Sequence, residues 1–226
     1  MKTKFLLTII TASILFFAGC KKDNYTKPNS IITGKLVYQG QPLGVRSNGV
    51  QLELWQKGYQ LFTKVAVYPA QDGTYTINIF DGDYQLIPLK GTGPWADKLD
   101  TIPIHLAGSA NVDITMDPYF IIKNESFVRS GSTITGTFTI QKVNTTKTLS
   151  LVKIYIGQTL ITDNINNAAN AQKLASTITD ITQPISISLT VPAALATKDY
   201  AYMRIGVQAT GVTELLYTQV QKIALK

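Results

Sequence analysis

The sequence predicts an all-β protein made of two tandem β-sandwich domains. Thr, Ile, Val and Tyr, which favour strands, are abundant, and only 15% of the residues are charged. Short segments of alternating apolar and polar residues are separated by Gly, Pro, Asn and Asp at intervals of roughly 8 to 12 residues, a spacing typical of sandwiches. The length suffices for two modest domains or one large sandwich, and the pattern favours two, at residues 31–117 and 118–226.

Residues 1–19 are predicted to be a lipoprotein signal peptide. Lys2 and Lys4 provide a basic start, and an uncharged apolar run follows at 5–18. At a rise of ~1.5 Å per residue this run is too short to cross ~30 Å of hydrocarbon, which disfavours a permanent transmembrane helix. The segment is therefore expected to direct export and then to be removed.

Cys20, the only cysteine of the chain, is the predicted lipidation site. The residues at 17–20 (Phe-Ala-Gly-Cys) resemble the bacterial lipobox, in which small residues precede a cysteine that is acylated and becomes the new N-terminus. The alternative is an unpaired or intermolecular cysteine, because a single thiol cannot form an internal disulfide. Several acyl chains would hold the protein firmly at a membrane, at ~0.8 kcal/mol per buried CH₂.

Residues 20–30 are predicted to be the lipid anchor and a tether without fixed structure, because they are polar and aperiodic and contain Pro28. The formal net charge of +7 includes Lys2 and Lys4, which would leave with the signal peptide. Much of the remaining excess lies in the tether, so anionic lipid headgroups explain it better than nucleic acid. No basic stripe with interleaved aromatic residues is present, and we expect no nucleic-acid partner.

Seven short strands are predicted in the first domain. Val50, Leu52 and Leu54 share one face of the second strand, which leaves Glu53 and Trp55 on the other. Turns are predicted at 39–44 and 69–73, a tight hairpin at 81–82, and a loop at 90–100. The strands are expected at 31–38, 49–56, 59–67, 74–80, 83–89, 101–106 and 110–116.

The second domain is predicted to begin where Pro118 interrupts pairing. The Asn- and Ala-rich segment 163–180 does not alternate, so we expect either a long loop or a short helix around 168–175. The last two predicted strands form a closing hairpin, and the pattern as a whole is immunoglobulin-like or fibronectin type III-like. The strands are expected at 119–128, 132–143, 149–161, 184–191, 200–208 and 214–225.

The motifs of the first domain resemble those of the carboxypeptidase-regulatory or prealbumin-like sandwich. They are Ile-Thr-Gly-Lys-Leu-Val at 32–37, Pro-Leu at 42–43, Asp-Gly-Thr-Tyr at 72–75 and Gly-Asp-Tyr at 82–84. The whole order, from lipobox to second sandwich, resembles a two-domain lipoprotein family of unknown function from Bacteroidota. That resemblance implies an accessory of SusC/SusD-type outer-membrane importers, and it brings no catalytic residues with it.

The residues offer little material for catalysis or metal binding. His105 is the only histidine, and we expect a structural role for it, so histidine-based triads and histidine-rich metal sites are disfavoured. Asp81 and Asp83 flank a hairpin, and Asp97 and Asp100 lie in a loop. Turn formation and solvated charge explain both pairs better than a glycosidase dyad or a calcium site, which needs six to eight oxygens. We therefore expect no enzymatic activity and no cofactor.

Aromatic residues are the best candidates for ligand binding, because sugars stack their apolar faces on exposed rings. Trp95 lies in the Gly- and Pro-containing loop at 91–97, with Asp97 beside it. Trp55 shares its predicted face with polar residues, and Tyr59 follows four positions later. The alternative is that these rings cover the sheet ends or the joint between the domains, as large aromatic residues usually do.

The leading functional hypothesis is a non-catalytic surface lipoprotein that captures a glycan or another nutrient beside a SusC/SusD-type importer. We expect attachment to the outer membrane through Cys20, with the cell surface favoured over the periplasmic face. One alternative is a structural or assembly protein that contacts partner proteins and holds no small ligand. A hydrolase that uses scattered carboxylates is the third and weakest hypothesis.

Overall fold

The chain folds into two tandem β-sandwich domains, as the sequence predicts. The computed structural model describes residues 26–58 and 63–226, so Cys20, Tyr59 and the predicted signal peptide lie outside the described residues. Within those two ranges, no helix is both long and apolar enough to span a bilayer.

The first domain contains two sheets that pack face to face. In one sheet, β1 is central and pairs with β2, β5, β8 and β9. The other sheet has the antiparallel order β4-β3-β6-β7. The strands are β1 (Ser30–Tyr38), β2 (Gln41–Pro42), β3 (Leu52–Gln56), β4 (Lys64–Val67), β5 (Thr74–Ile79), β6 (Gly82–Pro88), β7 (Ile102–Leu106), β8 (Ser109–Asn111) and β9 (Ile114–Thr115).

The second domain is also a sandwich. One sheet has the order β10-β11-β14, and the other has the order β13-β12-β15-β16, with β17 also paired to β15. One short helix, α1 (Ala193–Ala196), precedes β15. The strands are β10 (Phe120–Ser130), β11 (Thr133–Lys142), β12 (Leu149–Gly157), β13 (Ala169–Leu174), β14 (Ile185–Thr190), β15 (Tyr200–Ala209), β16 (Leu216–Tyr217) and β17 (Gln221–Ala224).

The core follows the period-2 pattern of the strands. Alternate residues point to opposite faces, so Leu52 and Leu54 of β3 are buried while Glu53 and Trp55 point outward. The same alternation continues in β6, where Tyr84 and Leu86 are buried. Each fully buried aliphatic side chain contributes on the order of 1.5–3 kcal/mol, and this burial fixes which face of the sheet remains in solvent.

The segment at 163–180 differs from the prediction. Residues Ala169–Leu174 form β13 on the edge of a sheet, paired with β12, and a single 3₁₀ turn follows at Ala175–Thr177. The predicted loop or helix around 168–175 is therefore wrong. Residues 169, 171, 173 and 175 are only half-buried, so the edge strand lacks the strong apolar alternation that reveals strands in a sequence.

Arg204, near the centre of β15, joins the two domains. Its side chain is 0% exposed, and its guanidinium carbon lies 4.6 Å from the ring centroid of Tyr217. Nε donates to the carbonyl of Thr218 at 2.9 Å, and the terminal nitrogens donate across the joint to the carbonyls of Val45 at 3.1 Å and Gln71 at 3.0 Å. Burial lowers the pKa of Arg204 to about 10.

A salt bridge and a backbone pairing extend this joint. Arg46 of the first domain donates through Nε and Nη2 to the two carboxylate oxygens of Glu214, at 3.0 Å and 2.5 Å. This hydrogen-bonded pair raises the pKa of Arg46. The N–H of Tyr217 donates to the carbonyl of Gly44 at 3.0 Å. Bidentate pairing and buried hydrogen bonds therefore hold one domain against the other.

Stability is expected to fall above about pH 10. Burial raises the pKa of Tyr217 to about 12, and it also raises the pKa values of Tyr155 and Tyr75. Above pH ~10 the unfolded chain releases phenolic protons that the folded chain retains, so the stability present below that pH is progressively lost. Arg204 opposes the trend, because its pKa is lowered in the folded chain, but three phenols outweigh one guanidinium.

Urea unfolding between about pH 8 and about pH 11, with phenolate absorbance recorded in parallel, measures this loss. Between these pH values Tyr217→Phe is expected to remove roughly 1–1.5 kcal/mol of the alkaline loss, because the folded pKa of Tyr217 lies above the upper end of the range. Tyr68→Phe is the matched control, because the Tyr68 ring is exposed. A free energy of unfolding that stays constant through this pH range would contradict the prediction.

Candidate functional site

A groove of about 410 Å³ lies on the outer face of the sheet β4-β3-β6-β7. Its centre is a row of directly paired residues, in which Trp55 of β3 lies opposite Gln85 of β6, and Gln85 lies opposite Pro103 of β7. Register partners on adjacent antiparallel strands have Cβ atoms ≈ 4.5–5.5 Å apart, so their side chains form a continuous surface. The groove residues are Trp55, Lys57, Asp83, Tyr84, Gln85, Pro103, Ile104 and His105.

Polar side chains surround the Trp55 indole. Its Nε1–H donates to Glu53 Oε2 at 3.2 Å, and the other oxygen of Glu53 pairs with Lys64 on β4. In the next row, His105 Nδ1 lies 2.6 Å from Asp83 Oδ1, and both side chains are more than four-fifths exposed. A solvated pair of this kind contributes little to stability, so these polar groups are available for interactions with a ligand.

Trp95 does not form an exposed binding surface, which corrects one of the sequence-based site predictions. The residue is 3% exposed and belongs to the main hydrophobic core. Its backbone pairs with Pro118 at the start of the second domain, and Ala96 N–H donates to the Asp117 carbonyl at 2.9 Å. The indole therefore packs at the connection between the domains, as the alternative hypothesis for the large aromatic residues expects.

The predicted site residues are thus brought together only in part. Trp55 lies in the groove, whereas Asp97 is exposed elsewhere and closes its own loop by accepting the N–H of Gly91 at 2.8 Å. Tyr59 and Cys20 lie outside the described residues. Sequence reasoning missed Gln85 as a groove residue, because its place beside Trp55 depends on strand order.

Asp81 and Asp83, which were considered as an acid pair and as calcium ligands, contact different partners in the structure. Asp81 accepts hydrogen bonds from the Ser30 hydroxyl and from the Gly108 N–H, and these bonds lower the pKa of Asp81. Asp83 instead contacts His105. Within residues 26–58 and 63–226, no three side chains of His, Cys, Asp or Glu cluster as metal ligands would.

The groove can bind a small polar molecule that also has an apolar face. The Trp55 indole and the Pro103 ring provide apolar surface, and the Gln85 amide can both donate and accept hydrogen bonds. Lys57 supplies a cation, and Asp83 supplies a carboxylate. The volume of the groove lies within the ~300–1,000 Å³ range of small-molecule sites.

Two family models together match most of the chain. Residues 30–117 match the model described as "Protein of unknown function (DUF3823) N-terminal domain". Residues 120–222 match the model described as "Domain of unknown function (DUF3823_C)". No curated protein matches the chain.

Solved structures from three species share this fold. A DUF3823 family protein from Bacteroides ovatus is 36% identical, with a TM-score of 0.80 over 88% of this chain and 100% of that protein. A DUF3823 family protein from Parabacteroides merdae is 29% identical, with the same TM-score and coverage. A Bacteroides uniformis protein, to which carbohydrate binding is provisionally ascribed, is 19% identical, with a TM-score of 0.73 over 88% of this chain and 100% of that one. The chain belongs to the DUF3823 family.

Proposed function

We propose that this protein is a non-catalytic, carbohydrate-binding lipoprotein of the outer membrane, and that the Trp55 groove holds the sugar. One observation carries the proposal: a half-buried indole lies in an open groove with an amide, a carboxylate, an ammonium and an imidazole around it. A pyranose has an apolar C–H face and a rim of hydroxyl groups, which require both hydrogen-bond donors and acceptors. The groove offers partners for both parts of that ring.

Carbohydrate is also the first ligand class to test because of one structural relative. Carbohydrate binding is provisionally ascribed to the Bacteroides uniformis protein that shares this fold. The lipobox-like sequence at Cys20 and the resemblance to lipoproteins encoded beside importers support capture at the cell surface beside a SusC/SusD-type importer. In such a role the protein would bind the glycan without cleaving it.

Trp55→Ala is expected to weaken binding of the glycan at least tenfold, a loss of about 1.4 kcal/mol or more of binding free energy. The chain from residue 20 onward would be screened on a glycan array, and the best ligand would be measured by calorimetry. Tyr68→Ala is the matched control, because Tyr68 is an exposed aromatic residue outside the groove. Equal affinity in the Trp55→Ala variant and the unsubstituted chain would remove the groove from the proposal.

Attachment to the membrane is expected to depend on Cys20 alone. Cys20→Ala should abolish incorporation of labelled fatty acid and move the protein from the detergent phase to the aqueous phase in a detergent partition. Lys21→Ala is the control, because it changes the adjacent residue and leaves the thiol in place. If mass spectrometry of the protein purified from native membranes found an unmodified N-terminus, that result would contradict the lipid anchor.

A second function, assembly with a partner protein of the cell envelope, is favoured by one surface loop. Leu160, Ile161 and Ile165 are exposed on the loop between β12 and β13. The buried carboxylate of Asp163 fixes the loop by accepting the N–H groups of Ile165 and Asn166, both at 2.8 Å. A rigid apolar loop in solvent is typical of a protein contact.

The two functions differ in the residues that they require. If the loop binds a partner protein, replacing Leu160, Ile161 and Ile165 with serine should abolish co-purification of that partner from cell envelopes and leave glycan affinity unchanged. If the protein acts only through the groove, Trp55→Ala should weaken glycan binding at least tenfold, and the loop variant should behave like the unsubstituted chain.

A further inference from the structure

A second cleft, of about 370 Å³, lies between the two domains. Its floor is formed by Leu43 and Gly44 of the first domain and by β16 of the second domain. One wall is the hairpin that joins β1 to β2, and the opposite wall is the beginning of β10. This cleft shares no lining residue with the Trp55 groove. It is therefore an independent site, in the kind of place between domains where ligands commonly bind.

The hairpin wall is held in a fixed conformation. Tyr38 pairs with Gln41, and the two residues between them, Gln39 and Gly40, have φ angles of 50° and 75°. This is the geometry of a two-residue type I′ turn, in which Asn, Asp or Gly is strongly preferred at the first position. A positive φ is unfavourable for glutamine, so we infer that Gln39 is present for its side chain. Its amide is longer than that of asparagine and lies at the edge of the cleft.

The polar side chains around the cleft are available to a ligand. Within the described residues, the side chains of Tyr38, Gln39, Gln41 and Lys123 have no hydrogen-bond partner. Gln219 differs, because its Nε2 donates to the carbonyl of Pro42 at 3.4 Å and so connects the segment after β16 to the hairpin wall. The contact between the two domains therefore shapes the cleft before any ligand binds. The amides of Gln39 and Gln41, the phenol of Tyr38 and the ammonium of Lys123 remain at its edge for a ligand to contact.

The charge of the lining favours a neutral ligand. Lys123 and Glu125 are the charged residues that line the cleft, and their charges are opposite. The amides of Gln39 and Gln41 both donate and accept hydrogen bonds, as hydroxyl groups require. Ile121 and Ile122 provide half-buried apolar surface. These groups match a sugar ring better than an anion, a cation or a hydrocarbon.

An extended peptide fits this cleft poorly. Pro42 in β2 has no N–H to offer to an added strand. On the other wall the pairing of β10 is irregular between Lys123 and Ser126, where Asn124 has a φ of 55°. Both walls therefore lack the regular backbone edge that strand addition needs.

We propose that the cleft between the domains is a second saccharide subsite, formed by Tyr38, Gln39, Gln41 and Lys123, that binds roughly one or two neutral pyranose rings. The inference rests on the proposed function for its ligand class, and it adds a second point of attachment to the same glycan or to another chain of it. Two weak sites on one protein bind a polymeric glycan far more tightly than either site alone.

An amide-resolved NMR titration tests the subsite. The chain from residue 20 onward would be titrated with maltotriose, cellotriose, xylotriose, mannotriose and laminaritriose. At least one trisaccharide is expected to shift the amide signals of Gln39, Gln41 and Gln219, and these shifts should persist in Trp55→Ala. Gln41→Ala and Lys123→Ala should each weaken this binding several-fold or more. Gln172→Ala, a change at an exposed glutamine of β13, should leave it unchanged.

The outcomes separate the two proposals. Shifts confined to Gln85, His105 and their neighbours would overturn the second subsite and leave the Trp55 groove intact. If trisaccharides shift signals in the cleft, and neither Gln41→Ala nor Lys123→Ala weakens that binding, the assignment of these residues to the subsite would be overturned. An absence of shifts at both sites with all five trisaccharides, together with a negative glycan array, would overturn the carbohydrate function itself.

Discussion

Replacing Arg204 with alanine is expected to lower the free energy of unfolding by about 3–5 kcal/mol, because it leaves buried carbonyl groups without a donor. The carbonyls of Val45 and Gln71 belong to one domain and the carbonyl of Thr218 to the other, and all three accept hydrogen bonds from this one guanidinium. Water has little access to replace it, since Arg204 is fully buried. Urea unfolding monitored by circular dichroism measures the loss.

Arg204→Lys should also be strongly destabilised, although it keeps the positive charge. The three carbonyls are reached from three separate nitrogens of the planar guanidinium, and the single nitrogen of an ammonium group cannot lie within hydrogen-bond distance of all three. Arg129→Ala is the matched control, because Arg129 lies on the exposed end of β10, and we expect it to change stability by no more than about 0.5 kcal/mol.

The shape of the unfolding transition provides a second measurement on the same variants. We expect the unsubstituted chain to unfold in one transition, since the joint couples the domains, and Arg204→Ala to unfold in two. An Arg204→Ala chain that keeps the urea midpoint and the single transition of the unsubstituted chain would show that the joint does not depend on this residue. The variant should also lose the cleft between the domains, because its two walls come from different domains.

Local alternation was sufficient to predict the fold class and the longer strands. In β14, Ile185, Ile187 and Leu189 are buried and the residues between them are exposed, which is the pattern that reveals a strand in a sequence. The two-residue strand β2 could not be predicted in this way and falls in the predicted turn at 39–44, because an alternation needs more than two residues. The two-residue strands β9 and β16 lie within the longer strands predicted at 110–116 and 214–225, whose interruptions the alternation did not reveal. Their pairing is fixed by the neighbouring strands and, for β16, by contact with the other domain.

The candidate site could be predicted only in part, for a related reason. The alternation in β3 places Trp55 on the outer face, which is where the structure has it. That Gln85 and His105 lie on the same surface depends on the strand order β3-β6-β7, which alternation does not reveal. Arg204 shows the opposite case, because it occupies an outward position on β15 that the other domain covers. Contacts between domains therefore override the local pattern at that position.

Trp95→Ala is expected to destabilise the protein by about 3–5 kcal/mol and to leave glycan affinity in the folded fraction unchanged. The indole is buried, and a Cβ atom placed on Gly93 would lie 2.0 Å from its Cε2 atom, so the ring packs directly against the backbone of its own loop. Truncation would open a cavity where the Gly-Pro-Trp loop meets the start of the second domain, and the surrounding backbone, paired with Pro118, could collapse into it only in part.

Trp55→Ala is compared with Trp95→Ala, because these are the two tryptophans of the chain and we expect one change to affect affinity and the other to affect stability. The change at position 55 should lower affinity with a small effect on stability, since that ring is only half-buried on the outer face of a sheet. The change at position 95 should lower stability without lowering affinity. Urea midpoints and glycan calorimetry on both variants provide the test. A ring that fills the core cannot be removed without a loss of stability. A Trp95→Ala chain that kept a normal urea midpoint but bound no glycan would therefore show that Trp95, and not Trp55, is the binding residue.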